Sequence, residues 1–200
     1  MQTTMKKIFI LLSFCFFSVG AFAQSNTTLS YSIGVPMGDL SDFVTPISWR
    51  GINLDYRKMV TPNVGVGFTV GWNVFYEEMG YDSYTVDNIT LSGKQWRYSN
   101  HIPMYLNPTY FFKPGESLNP FVGLGVGTMY SLRNTDMNLY TVEQDAWNFA
   151  VVPEIGFQYS VDDATAISVS GKLNYGFKAG NELDGNQSFF TLNVGFSFIN

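Results

Sequence analysis

The chain has 200 residues and carries 11 Lys plus Arg against 16 Asp plus Glu, a formal net charge of −5. That balance offers no attraction to a phosphate backbone, which excludes nucleic acid as an expected partner. Aromatic residues make up 17% and charged residues 14% of the chain, whereas soluble domains carry about a quarter charged residues. Such a chain has either an unusually dry surface or a surrounding other than water.

The first element in chain order is an export signal over residues 1–23. Lys6 and Lys7 form its basic start, Ile8 to Val19 its apolar run, and Ala21-Phe22-Ala23 its small-x-small cleavage site. The mature chain is expected to begin at Gln24. The apolar run is short of the roughly 20 residues that a membrane-spanning helix needs. Cys15 follows Leu12-Ser13-Phe14, where bulky Phe14 takes the place of the small residue that a lipid-attachment site requires, so no lipid anchor is expected. Cys15 is the single cysteine, and its loss with the signal leaves no disulfide and no thiolate metal cluster. Loss of Lys6 and Lys7 leaves nine Lys plus Arg against sixteen Asp plus Glu, a net charge of −7.

Residues 24–200 read as one domain. No long apolar run follows the signal, and helical periodicity is nearly absent. Eight segments alternate instead: Thr28 to Pro36, Trp49 to Lys58, Val64 to Tyr76, His101 to Phe112, Phe121 to Arg133, Trp147 to Val161, Thr165 to Lys178 and Phe189 to Phe198. A period of two with one apolar face marks a half-buried strand. The last is the cleanest, with Phe190, Leu192, Val194, Phe196 and Phe198 alternating with Thr191, Asn193, Gly195 and Ser197. Thr61-Pro62-Asn63, Lys113 to Pro120 and Asp162-Asp163-Ala164 are compact turns. Met37 to Ser48, Glu77 to Asn100, Asn134 to Ala146 and Ala179 to Ser188 are longer and polar. Short turns at one end and long loops at the other are the habit of outer-membrane barrels.

The two faces of the strands separate a soluble sheet from a membrane barrel. The polar face is built of small residues, among them Gly65, Gly67, Thr69, Gly71, Gly123, Gly125 and Gly127, as a crowded interior requires. On the apolar face, Trp72, Tyr76, Tyr130, Trp147, Tyr175, Phe177 and Phe190 fall near the long loops. Tyr56, Tyr110, Phe112, Tyr159, Phe196 and Phe198 fall near the short turns, with aliphatic residues such as Val126 and Val169 between. An apolar band between two aromatic girdles is what rings at the headgroup layer produce. The expectation is therefore an all-β fold: a closed up-and-down eight-stranded antiparallel transmembrane β-barrel, with Ile167 to Phe177 facing lipid and Ser168 to Gly176 facing the lumen. A soluble exported barrel is the structural alternative.

The cleavage site Ala-Phe-Ala-Gln, the eight alternating segments and the aromatic final strand "FFTLNVGFSF" together resemble the small eight-stranded outer-membrane barrels of Gram-negative bacteria, the OmpA-like and OmpX-like porin-family proteins. The resemblance covers essentially the whole mature chain. It implies residence in the outer membrane among its lipids and recognition of the last strand by the barrel-assembly machinery. Two features depart from the family pattern: Ile199 and Asn200 follow the aromatic Phe198, and no peptidoglycan-binding domain is expected after the barrel.

Five charged residues share the lumen parity, namely Asp55, Arg57, Arg133, Glu154 and Lys172. A three-residue turn at Asp162-Asp163-Ala164 sets Glu154 opposite Lys172, so these two are expected to pair inside the barrel. Such a set is either a structural plug or a gated path for ions or solutes. No cofactor and no metal site is expected. His101, with Ser99 nearby, is the one histidine and lacks the orienting third group of a catalytic triad. In the loop Glu77 to Asn100, Tyr81, Tyr84, Trp96 and Tyr98 stand among Asp82, Asp87, Lys94 and Arg97 and form a candidate surface for an extracellular partner. They cap the barrel mouth or extend a hairpin in the alternative reading. The function read from the sequence is a structural or surface-interaction role at the cell surface, ahead of a narrow porin-like channel and of a lipid- or peptide-acting enzyme.

Overall fold

The polar residues of the final strands are inside and the apolar ones outside. In the computed structural model Ser168, Ser170, Lys172 and Asn174 are buried, while Phe190, Leu192, Val194, Phe196 and Phe198 are exposed. This inverts the order of a soluble sheet and answers which face meets lipid. The structure describes residues 24–86, 89–137, 139–180 and 183–200, without the side chains of 84–91. The signal segment 1–23, with Cys15, lies outside the described residues.

Eight strands follow one another: β1 (Ser25–Met37), β2 (Gly51–Met59), β3 (Val64–Val86), β4 (Ile89–Phe111), β5 (Leu118–Met137), β6 (Tyr140–Ser160), β7 (Thr165–Gly176) and β8 (Gln187–Ile199). Each pairs antiparallel with the next, and β8 returns to β1 from Asn26↔Ile199 to Met37↔Ser188, which closes the barrel. Closure leaves no sheet edge in hydrocarbon, where an unpaired backbone group has no water to turn to. The register carries the alternation around the ring, with Val169 opposite Val194 and Lys172 opposite Thr191. Among the described residues no helix is long and apolar enough to cross a membrane.

Turns at 60–63, 112–117 and 161–164 join strands at one end, where both described chain ends also meet and Ser25 N–H donates to the Asn200 carbonyl at 2.7 Å. At the other end residues 77–86, 89–100, 134–137 and 140–146, read above as parts of loops, are strand. β3 and β4 run 23 residues each, and their ladder continues to Val86↔Ile89. β5 and β6 pair out to Met137↔Tyr140. A strand needs only about 9–11 residues to cross the bilayer, so β3 to β6 project well beyond it. Both faces of that projection stand in water, which removes the apolar-polar alternation by which a strand is recognised in sequence.

The Met37–Ser48 segment is not simply a polar loop either. Gly38, at a positive φ of 54°, turns the chain into a single 3-10 turn at Gly38–Leu40. Leu40 and Val44 then enter the barrel mouth and pack with Phe75, Met129, Ala150 and Phe189.

The inward glycines mark close approaches. A Cβ on Gly125 would come within 2.3 Å of the Tyr105 ring, and Tyr105 is buried with nowhere to retreat. Gly125→Ala is expected to lower stability by about 1–3 kcal/mol, the usual cost of overfilling a packed interior. Urea unfolding of the detergent-refolded protein, followed by tryptophan fluorescence, measures it; an unchanged midpoint would show that the lumen is looser than the contacts require.

Candidate functional site

The lumen is filled in layers. At the short-turn end the rings of Phe111 and Phe121 meet at 5.5 Å between centroids, and the Arg57 guanidinium lies 5.2 Å over Phe121. Above them sits a four-charge network. Asp55 Oδ1 accepts from Lys172 Nζ at 2.7 Å and from Thr69 Oγ1 at 2.6 Å. Glu154 Oε2 accepts from Arg57 Nη2 at 2.7 Å and from Asn107 Nδ2 at 2.8 Å. Arg57 also reaches Asp55 at 3.4 Å. All four side chains are buried, and two acids balance two bases.

The register does place Glu154 opposite Lys172, yet their charged atoms are 3.8 Å apart. The shorter contacts run across the lumen, from β2 to β6 and β7, because an eight-strand interior is narrow enough for side chains to span. Gly123 helps make room: a Cβ there would stand 2.8 Å from Asn107 Oδ1 and 3.3 Å from Glu154 Oε2. Arg133 does not join this network. It lies higher, donates to Gln187 Oε1 at 2.9 Å and stacks 4.7 Å from the Phe43 ring.

A layer of uncharged polar groups follows, in which Asn53 Nδ2 donates to Asn193 Oδ1 at 2.7 Å and to Ser32 Oγ. Near the mouth His101 is wholly buried between two hydroxyls, Ser99 Oγ at 2.9 Å and Ser131 Oγ at 3.0 Å. Its ring also packs on Phe75 and Phe189 at 5.8 and 5.1 Å. No carboxylate touches the imidazole among the described residues, and the plug covers it from outside. Thr45 pins that plug, its N–H and hydroxyl each donating to the Glu77 carboxylate at 2.8 Å. Arg97 Nη1 adds a bond of 3.1 Å to the Phe43 carbonyl. Sequence reading missed the plug, although Leu40, Phe43 and Val44 have the i, i+3, i+4 spacing of one apolar face. No group of His, Cys, Asp and Glu suited to a metal occurs among the described residues.

Outside, the rings assigned to the girdles are exposed or half-buried on outward positions. Tyr130 lies opposite both Ile102 and Trp147, with Tyr130 and Trp147 centroids 5.1 Å apart. Trp72 stands opposite Ile52, and Tyr175 opposite Val151. At the other end Tyr56 meets Phe68 at 5.6 Å and Tyr110 meets Phe112 at 5.2 Å. Tyr159 lies opposite Ile167, which faces Phe196, and Phe198 faces Thr27.

The projection carries the aromatic residues assigned to the loop, though not as a loop. Trp96 and Tyr98 are half-buried on the outward face of β4, and Tyr98 stacks on Tyr76 at 4.9 Å. Tyr81 is exposed, and the side chain of Tyr84 lies outside the described residues. Lys94 Nζ donates to Glu78 at 2.7 Å, a bond and a charge that hold the ammonium above the usual lysine range. The β2–β3 ladder ends at Gly51↔Asn73, past which Val74 N–H donates to the Arg50 carbonyl and the Glu77 carboxylate accepts from Thr45. The β6–β7 ladder ends at Ala150↔Gly176, with one further backbone bond of 2.8 Å from Phe177 N–H to the Phe149 carbonyl. Above these points β3 to β6 continue as one four-stranded sheet.

Residues 9–198 match the model of the outer membrane protein beta-barrel domain family. The chain belongs to that family. It is an outer-membrane β-barrel protein of the Gram-negative type. Among solved structures, OprG from Pseudomonas aeruginosa is similar at 15% identity and TM-score 0.57, over 89% of this chain and 96% of that one. Ail of Yersinia pestis, crystallised in complex with the heparin analogue sucrose octasulfate, is similar at 14% identity and TM-score 0.56, over 88% and 98%. Neisserial surface protein A follows at 10% identity and TM-score 0.53, over 88% and 95%. At these identities the likeness is one of fold. No curated protein matches the chain.

The charge network depends on being complete. Lys172→Met leaves Asp55 without its shortest charged contact, and stranding one partner of a buried pair typically costs about 3–5 kcal/mol. The double variant Asp55→Asn/Lys172→Met is expected to regain much of that loss. Urea midpoints of the two proteins test this; a double variant no better than the single one would mean that the network is held by something other than charge pairing.

Proposed function

We propose that this protein is a non-conducting outer-membrane barrel whose β3–β6 projection engages an extracellular partner. The observation that carries the reading is the four-stranded sheet that rises above the rim with exposed apolar side chains at its hairpin ends. A sheet presents its side chains alternately on two faces, which gives specificity toward a polypeptide laid against it. Exposed Tyr81, Leu139, Tyr140 and Val142 near the hairpin ends provide apolar anchors. Ail is a protein crystallised with a sulfated polyanion. In this chain Asp136, Glu143 and Asp145 share the outward side of β5 and β6, so the reading favours a polypeptide strand over a polyanion.

The porin-like alternative finds less support. A cavity of about 430 Å³ opens at the short-turn end and is floored by Phe111, Asn26 and Gln158. Above that floor lie the charge network, the polar layer and the plug in turn. The purified protein in planar bilayers is expected to give no stepwise conductance; steady single-channel currents would replace this reading with the channel. An enzymatic role would require His101 to be reached through the plug, and we assign it a packing role.

The same barrel supplies the test of surface binding. Replacing residues 80–93 with an Asn-Gly turn is expected to leave the heat-dependent gel mobility of the barrel unchanged. Adhesion of cells displaying the shortened protein to a surface coated with serum proteins should fall to the level of cells lacking it. Equal adhesion of the full and shortened forms would remove the projection from the reading.

A further inference from the structure

At nine residues β2 is the shortest of the eight strands. Its neighbours continue past its end, β1 to Met37 and β3 to Val86. Between these walls the rim steps down through residues 48–50, on the long-loop side, where Ser48 still bridges Gly34 of β1 by two backbone bonds of 2.8 Å. Arg50 sits in that step on an outward position, since Asn53, Asp55 and Arg57 point inward. Its backbone is fixed on both sides: Val74 N–H donates to its carbonyl at 2.9 Å, and its own N–H donates to Ser48 Oγ at 3.1 Å. The guanidinium stacks 5.7 Å from the Tyr76 ring centroid.

The surroundings of Arg50 are those of a headgroup layer. Trp49 and Trp72 are each more than half exposed on this side, and Tyr31 donates its hydroxyl to the Trp49 carbonyl. Tyr76 in turn stacks on Tyr98. Aromatic residues with polar tips collect where hydrocarbon gives way to headgroups.

Arg50 is also uncompensated. Lys94 and Lys178, the other exposed cations of the long-loop side, are engaged by Glu78 at 2.7 Å and Asp184 at 3.0 Å. Glu78, the nearest acid on the outward face of β3, is thus already taken, and Glu77 accepts from Thr45. Arg50 has no carboxylate within 4.0 Å among the described residues. A chain of net negative charge thus presents at this notch a guanidinium with no acidic partner among the described residues, stacked on Tyr76, with exposed Trp49 beside it in the chain and exposed Trp72 on the same outward face of β3 as Tyr76.

We propose that Arg50, in the notch above β2 with Trp49, Trp72 and Tyr76, binds the phosphate of an outer-leaflet lipid headgroup. The guanidinium fork presents paired N–H donors that match phosphate oxygens. The flanking rings hold the upper acyl region of the same lipid, and the stack on Tyr76 limits the rotamer freedom lost on binding. The site lies below the hairpin ends of the projection, so it stands or falls without the surface-binding reading.

The test uses the whole protein folded into phosphatidylcholine nanodiscs doped with lipid A or with its dephosphorylated form, and native mass spectrometry of what stays bound after detergent release. The wild-type protein is expected to retain the phosphorylated lipid over the dephosphorylated one by on the order of tenfold, the scale of one hydrogen bond between charged groups. Arg50→Gln is expected to bring the ratio close to one, and Arg50→Lys to leave it between the two. Should the glutamine variant lose its heat-dependent gel shift, the lysine variant reads the same comparison. Equal retention of both lipids by the wild-type protein, or an unchanged ratio in Arg50→Gln, would overturn the proposal. Displacement of bound lipid A by inorganic phosphate would reassign the notch to a free anion.

Discussion

Hydrocarbon offers no hydrogen-bonding partner to a backbone, and the rest of this structure follows from that constraint. Eight strands satisfy it by closing on themselves. Closure at eight fixes a lumen only wide enough for side chains, and the pleat then sends every second residue into it. The ladder is not perfect. Pro153 sits in mid-β6, and no pair with β7 falls between Val151↔Tyr175 and Glu154↔Lys172, as expected where a residue lacks its N–H. The register is the same on both sides of the gap, so the seam holds through its flanking pairs.

The narrow lumen converts a solvation problem into a packing problem. Side chains that would be wet on a soluble sheet here find partners only among themselves, and the layers show how. Charged groups occupy the middle, where Asp55, Arg57, Glu154 and Lys172 complete one another. Apolar rings lie on both sides of them: Phe111 and Phe121 toward the turns, Phe75 and Phe189 toward the mouth. Rings at both ends keep bulk water from screening the ion pairs, which strengthens each attraction. The same exclusion makes an incomplete set expensive. A lumen of this kind is selected as a whole, with Gly123 and Gly125 as much a part of it as the charges.

Reading the sequence reached as far as the environment had two distinct sides. Within the bilayer every strand separates lipid from lumen, so alternation located all eight, with ends displaced by two or three residues at β1, β2, β7, β8 and the start of β5. Above the bilayer water lies on both sides, and residues 77–86 and 89–100 carry no period to read. The plug was hidden for a different reason. Leu40, Phe43 and Val44 are few among polar residues, and their burial depends on a mouth that exists only after closure. For Lys172 the neighbour along the sheet was readable by counting from the turn. Its tighter contact with Asp55, a chord across the barrel, lies beyond any count along the chain.

The unequal strand lengths divide the molecule by task. β1, β2, β7 and β8 stop near the rim, and the segments joining them fold inward. Asn186 N–H donates to Asp39 at 2.6 Å and Ser188 to the Met37 carbonyl at 3.1 Å, so the β1–β2 and β7–β8 connections meet over the mouth. β3 to β6 pack the plug with Phe75, Met129, Ala150 and Arg133 inside the mouth and grip it with Glu77 and Arg97 at Thr45 and Phe43, then rise beyond it. A barrel sealed at the mouth leaves the outer part of β3 to β6 free of any duty to its stability. Substitution beyond Glu77 then touches neither the charge network nor the closing ladder, and that is the condition under which a surface can vary in sequence while the fold that carries it does not.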